Sequence, residues 1–135
     1  MALKKVNKKK ANKKEVKLHI GCGFNYMDGW TNIDDNSYGN IEKTDLDWDL
    51  TKPLYFKDKS VDIIYDEHFF AKMEMGEKMV SSALWNYRCM LKEKGILRIG
   101  TSHMEFNQKL TTWLNSLGFP YVEFEKNSTL PFSTF

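Results

Sequence analysis

Cysteine is scarce in this chain: 135 residues hold two, Cys22 and Cys89. They lie far apart, and neither belongs to a CxxC pair or a Cys/His cluster, which argues against a structural zinc site or any other bound metal. A reduced, cytoplasmic protein is the economical reading, with a disulfide between the two left open. Long apolar runs are missing as well. No stretch is long enough to span a bilayer, and no apolar segment follows the N-terminal lysines, so they do not open a signal peptide. Internal repeats are absent, and the length leaves room for one core rather than two.

What is present is a globular composition, 41% hydrophobic, 14% aromatic and 28% charged, with the charge unevenly placed. Residues 1–17 hold eight lysines against Glu15, a local charge of +7, so the rest of a chain of net charge +2 carries −5. Residues 1–15 have almost no apolar periodicity and cannot bury enough surface to offset their ordering entropy. They read as a basic disordered tail before a domain spanning 16–135. Such a tail is either a solubilising extension or a means of touching nucleic acid or anionic lipid.

Within the domain, Val16–Ile20 reads as a short buried strand running into a glycine turn. Thr31–Asp34 is a second strand, Glu42–Trp48 contains a third, and Val61–Tyr65 is a β-branched fourth. Residues 72–92 fit a helix with Val80, Leu84, Tyr87 and Leu91 on one face, closed by Lys94-Gly95 with the glycine as a left-handed cap. Ile96–Gly100 is a further strand. Glu105–Leu117 is a helix with Phe106, Leu110, Trp113, Leu114 and Leu117 turned inward, and Gly118 stops it. Tyr121–Phe124 is a late strand, with a weaker one near Pro131–Phe135. Strands alternating with helices predict an α/β fold around a mostly parallel sheet. The seven residues between Gly23 and Thr31 are fewer than a parallel crossover normally needs. They call for either one distorted helical turn or an irregular loop at Tyr26–Asp28.

In an open α/β sheet, ligands settle beyond the carboxyl ends of the strands, and the unusual residues of this sequence gather there. Gly21 and Gly23 follow the first strand, where a missing Cβ lets a ligand approach the backbone; a tight turn without a ligand would use the same glycines. Asp34 closes the second strand and suits the two hydroxyls of a ribose or the cap of a turn. Asp45-Leu46-Asp47-Trp48-Asp49-Leu50 alternates carboxylates with apolar residues, as an adenine pocket or an edge strand would. The fourth strand runs into Asp66-Glu67-His68.

The order of these features resembles the class I S-adenosylmethionine-dependent methyltransferases. KLHIGCGFNYMDGWTNID (Lys17–Asp34) is similar to the opening of their small "HLGCG" branch, often found among bacterial surface-polysaccharide genes. The likeness continues through WDLTKPLYFKDKSVDIIYDEHF (Trp48–Phe69), MLKEKGILRIG (Met90–Gly100) and NQKLTTWLNSLGFPYVEF (Asn107–Phe124). It implies a Rossmann-like three-layer sandwich and S-adenosylmethionine as cofactor. Gly21 and Gly23 would pass under the methionine portion, with His19 and Cys22 beside them. Asp34 would take the ribose hydroxyls, and Asp49 with Leu50 would lie near the adenine. Asp66 and His68 would line the opening to the acceptor. Methyl transfer is governed mainly by positioning, and a base serves a hydroxyl or a protonated amine. His68 is the candidate, with Asp66 or Glu67 as alternatives.

The sequence also departs from that branch. Ala71 and Lys72 stand where a Glu-His pair is usual, and Thr101–Phe106 leads directly to the last helix without the common substrate-covering segment. A compact domain with an open site follows, one that needs a large substrate, a partner or a second copy to exclude water. The function expected is methyl transfer to a small-molecule or saccharide-linked acceptor. The alternative is a non-catalytic methyltransferase-like module that binds cofactor or a protein partner. A nucleic-acid role through the lysine tail is less favoured: no (N/D)PP(Y/W) motif follows the fourth strand, and the body is acidic. Phe69-Phe70 and Phe132–Phe135 are either a partner surface, for instance in a homodimer, or uncovered core.

Overall fold

The computed structural model describes residues 14–35, 44–101, 108–126 and 132–134; the basic tail expected over 1–15 therefore falls almost wholly outside it. In chain order the elements are β1 (Lys17–Ile20), β2 (Thr31–Asp34), β3 (Leu46–Asp47), β4 (Val61–Asp66), α1 (Phe69–Glu74), α2 (Glu77–Met90), β5 (Leu91–Thr101), α3 (Gln108–Ser116), β6 (Tyr121–Lys126) and β7 (Phe132–Thr134). They form one seven-stranded sheet of order β3-β2-β1-β4-β5-β6-β7. Six strands are parallel, and β7 closes the edge antiparallel to β6. This is an α/β fold of the open, Rossmann-like kind, whose strand order turns back between β1 and β4.

The register divides the sheet into two faces, because side chains alternate along each strand. Leu18, Ile20, Ile33, Ile64, Leu97, Ile99 and Phe124 share one face, and all are buried. They join Val80, Leu84, Tyr87 and Met90 of α2 and Leu110 and Leu114 of α3 in a single apolar cluster. Each fully buried side chain of this size contributes about 1.5–3 kcal/mol. Phe69, at the start of α1, is wholly inaccessible and belongs to the same cluster, so it is core rather than partner surface. Phe132–Thr134 forms β7.

The expected helix over 72–92 is two helices. Gly76 separates them with φ 108° and ψ 173°, far outside the helical region, and α2 ends at Met90 rather than at Lys94-Gly95. Gly95 is not a left-handed cap. A Cβ there would lie 2.8 Å from Leu91 Cδ2 and 3.0 Å from the Lys92 carbonyl oxygen, so glycine is required by crowding. The chain doubles up at this point: Val61 pairs with Leu91, but Ile63 pairs with Ile96. Leu91, expected on the helix, is buried on β5 instead.

The short connection between β1 and β2 is an irregular loop. Asn32 holds it, donating from Nδ2 to the carbonyl oxygens of Met27 and Trp30, both at 3.0 Å, while its Oδ1 accepts the Met27 amide at 2.9 Å. A side chain thus supplies the bonds that a crossover helix would make for itself. The helix expected over Glu105–Leu117 is described from Gln108; Phe106 lies outside the described residues. Leu110 and Leu114 are buried, with Trp113 and Leu117 packed at the margin. Among the described residues, no helix is long and apolar enough to cross a membrane.

Candidate functional site

The second face of the sheet is polar and aromatic. Lys17, His19, Tyr65, Arg98 and Glu123 alternate with the core residues. His19 stacks on Tyr65 with ring centroids 5.1 Å apart and planes 3° from parallel. Trp30 meets both rings edge-on at 6.3 Å. The Arg98 guanidinium lies 5.4 Å from the Tyr65 centroid and pairs with Glu123 at 3.0 Å, and Lys17 Nζ sits 5.2 Å over Trp30. This ladder orients His19 at the carboxyl end of β1.

His19 is wholly inaccessible, and its hydrogen bonds show where its protons are. The Asn32 amide nitrogen faces three acceptors: the Met27 and Trp30 carbonyls and Asp45 Oδ2 at 3.1 Å. Asn32 Oδ1 is thus the atom 2.9 Å from His19 Nδ1, and Nδ1 must donate to it. The other nitrogen, Nε2, lies 2.6 Å from Glu67 Oε1. A contact this short between imidazole and carboxyl oxygen requires a proton on that line. Asn25 Nδ2 donates to the same oxygen at 3.1 Å, and His68 Nε2 lies 3.7 Å from Glu67 Oε2.

The glycine turn is built from β2. The Gly21 and Cys22 amides donate to the Ile33 carbonyl at 2.8 and 3.3 Å, and the Gly23 amide donates to Asp34 Oδ2 at 2.8 Å. Gly21 and Gly23 have φ of 71° and 52°, a region that glycine enters without a Cβ penalty. Above the turn, the His68 ring leans on Gly21, with Cδ2 3.6 Å from the place a Cβ would take. His68 lines two openings: a pocket of about 150 Å³ walled by Gly21, Asp34, Leu50 and Lys72, and an open cleft of about 500 Å³ walled by Cys22, Gly23, Phe24, Asn25 and Glu67.

Other expected site residues are placed as follows. Asp34 is nearly buried, with one oxygen on the turn. Asp49 is exposed; its Oδ1 accepts the Thr51 amide at 2.9 Å and the Thr51 hydroxyl at 2.6 Å, and those bonds hold its carboxyl below the usual range. Leu50 lines the smaller pocket and a neighbouring cavity of about 330 Å³ against α2. Cys22 is buried, and both cysteines are free thiols. Burial first, then the charges of Asp34 and Glu67, push the Cys22 thiol up to about 11, so it is neutral at physiological pH and no nucleophile. Asp66 is also buried: its Oδ2 accepts the Tyr87 hydroxyl at 2.6 Å and Lys72 Nζ at 3.0 Å. Burial and that carboxylate raise the Tyr87 hydroxyl well above its ordinary value. Among the described residues, no group of three or more metal-ligating side chains comes together.

No protein-family model, curated protein or solved structure matches the chain. The geometry alone therefore speaks for its chemistry.

Sequence reading passed over Asn32 and Tyr87. Asn32 stands in an alternating strand, and Tyr87 falls in a helical apolar stripe, so neither position signals a polar partner. Lys72 was read as the loss of a usual pair, yet it occupies that place with a buried charge of its own, joined to Asp66. Asp45, offered as part of an adenine grip, instead ties the loop to β2, accepting the Asn32 amide at 2.8 Å and the Tyr26 hydroxyl at 2.9 Å.

Proposed function

We propose that the chain binds S-adenosylmethionine across the carboxyl ends of β1, β2 and β4 and transfers its methyl group to a small-molecule or saccharide-linked acceptor. The observation that carries this reading is the turn Gly21–Gly23, pinned through the Gly23 amide to Asp34 beside a pocket that Gly21, Asp34 and Leu50 line. The residues fit the cofactor by their chemistry. A bare glycine backbone admits close approach, a carboxylate suits ribose hydroxyls, and an apolar side chain suits an adenine. The bound cofactor would supply a sulfonium-activated methyl group; the chain's own part is to orient, to exclude water and to hold protons. A cytoplasmic location goes with this reading.

A second reading, a cofactor-binding module without turnover, is favoured by one observation. Asp66, at the end of β4, is engaged by both Lys72 and Tyr87, which leaves any proton transfer to Glu67 and His68. Calorimetry with S-adenosylmethionine and S-adenosylhomocysteine tests both. The expected outcome is binding by the wild-type chain that weakens about tenfold or more in Asp34→Ala, an effect of about 1.4 kcal/mol, and in Gly21→Val, whose side chain would meet His68. Binding without turnover on amine, hydroxyl and saccharide acceptors would select the module; no binding by wild type would remove both readings.

A further inference from the structure

We infer that the open cleft at Phe24, Asn25 and Glu67 takes a primary ammonium group, with Glu67 as the proton-accepting residue and His19 as the residue that positions it. The cleft's chemistry is one-sided. Its charged wall is the Glu67 carboxyl group, whose Oε1 is held by His19 Nε2 at 2.6 Å and Asn25 Nδ2 at 3.1 Å. That leaves the Oε2 side toward His68, 3.7 Å away. The Glu67 side chain keeps 15% of its surface accessible while His19 behind it keeps none, so the carboxyl group is the part of the pair that meets a ligand. Phe24, which also lines the cleft, is 72% exposed. An aromatic face and a carboxylate around one opening are the two partners that an ammonium ion prefers. The surroundings agree: Asp34, Asp35, Asp47 and Asp49 stand at neighbouring strand ends, and the nearby cation Lys72 is bound to Asp66.

The groups facing Glu67 are His19 from β1, the Cys22 thiol and Asn25 from the glycine turn, and His68 from the start of α1. The 2.6 Å bond from His19 fixes Oε1 and so holds the orientation of the Glu67 carboxyl group toward the cleft. In the transfer step, one ammonium N–H bond breaks and its proton passes to Glu67. The freed nitrogen lone pair forms the new N–C bond as the methyl C–S bond breaks, and its electrons return to the sulfur of the sulfonium donor. That step rests on the proposed methyl transfer; recognition of the ammonium does not.

The test therefore omits the cofactor. Phenethylammonium, its isosteric alcohol 2-phenylethanol, and L-methionine are titrated into the full chain at neutral pH, followed by backbone and imidazole NMR signals. Phenethylammonium should shift Phe24, Asn25 and Glu67, and bind about tenfold more weakly to Glu67→Gln and severalfold more weakly to Phe24→Ala, whose exposed ring leaves folding untouched. Equal binding of the alcohol, or undiminished binding by Glu67→Gln, overturns the ammonium assignment. L-methionine carries a primary ammonium as well, so its tighter binding at the same residues would give the cleft to the donor's own amino group and overturn the proton-accepting role of Glu67. For His19, the Nε2 resonance should move in Glu67→Gln, because its 2.6 Å partner is replaced; a ring unchanged by that substitution overturns its positioning role.

Discussion

The two faces of the sheet are made from the same strands and differ in almost everything else. One carries Leu18, Ile20, Ile64, Leu97 and Ile99 against α2 and α3, with the Asp66 carboxylate at the strand end. The other carries Lys17, His19, Tyr65, Arg98 and Glu123, joined by stacking, cation–π and ionic contacts. The first face is built for burial, where every methylene counts. The second is built for direction: each ring is fixed by its neighbours, and the last of them, His19, points at the cleft. Stability and site geometry are thus assigned to opposite sides of one sheet, one residue apart in sequence.

That division can be broken from either side. Phe69→Ala, in the apolar cluster, should cost roughly 3–5 kcal/mol of unfolding free energy by urea denaturation, enough to threaten folding in a domain of this size. Arg98→Ala, on the polar face, should cost less than about 1 kcal/mol, because a partly solvated cation–π contact and ion pair contribute little. It should nonetheless move the His19 ring resonances through Tyr65. Comparable losses at the two positions would erase the distinction. The smallest effect is read by pH. With Cys89 replaced by serine, the remaining Cys22 thiol should alkylate with a midpoint of about 11 rather than the ordinary 9.0 of a cysteine. Because the folded state then holds a proton that the unfolded chain releases, stability should fall as pH rises from 9 toward that midpoint. A midpoint near 9 would mean that the thiol is neither buried nor held beside the charges of Asp34 and Glu67.

Much of the parallel architecture was legible in local pattern. Thr31–Asp34 and the first, fourth, fifth and sixth strands stand where β-branched and alternating residues put them, because burial on a sheet leaves a short-range signature. The break at Gly76 and the crowding at Gly95 were not legible. A lone glycine inside a helical pattern does not announce its φ, and the contact that requires Gly95 comes from a register shift between β4 and β5. The site divides in the same way. Gly21, Gly23 and Asp34 do meet, as their positions at successive strand ends suggested. Asn32, His19 and Glu67 form a line across 48 residues of sequence, and no local pattern encodes a hydrogen bond of that span. Lys72 is the reverse case: its departure from a familiar motif marked the position, while its bond to Asp66 needed the fold to be seen.

The central claim is that a nucleoside cofactor lies over the glycine turn at the carboxyl ends of β1 and β2. Amide chemical-shift mapping with S-adenosylhomocysteine tests it most directly. Saturable shifts are expected at Gly21, Gly23, Asp34 and Leu50, with the α2 residues Met79 and Trp85 unmoved. Shifts confined to the cavity beside Met79 and Trp85, or none at all, would contradict it.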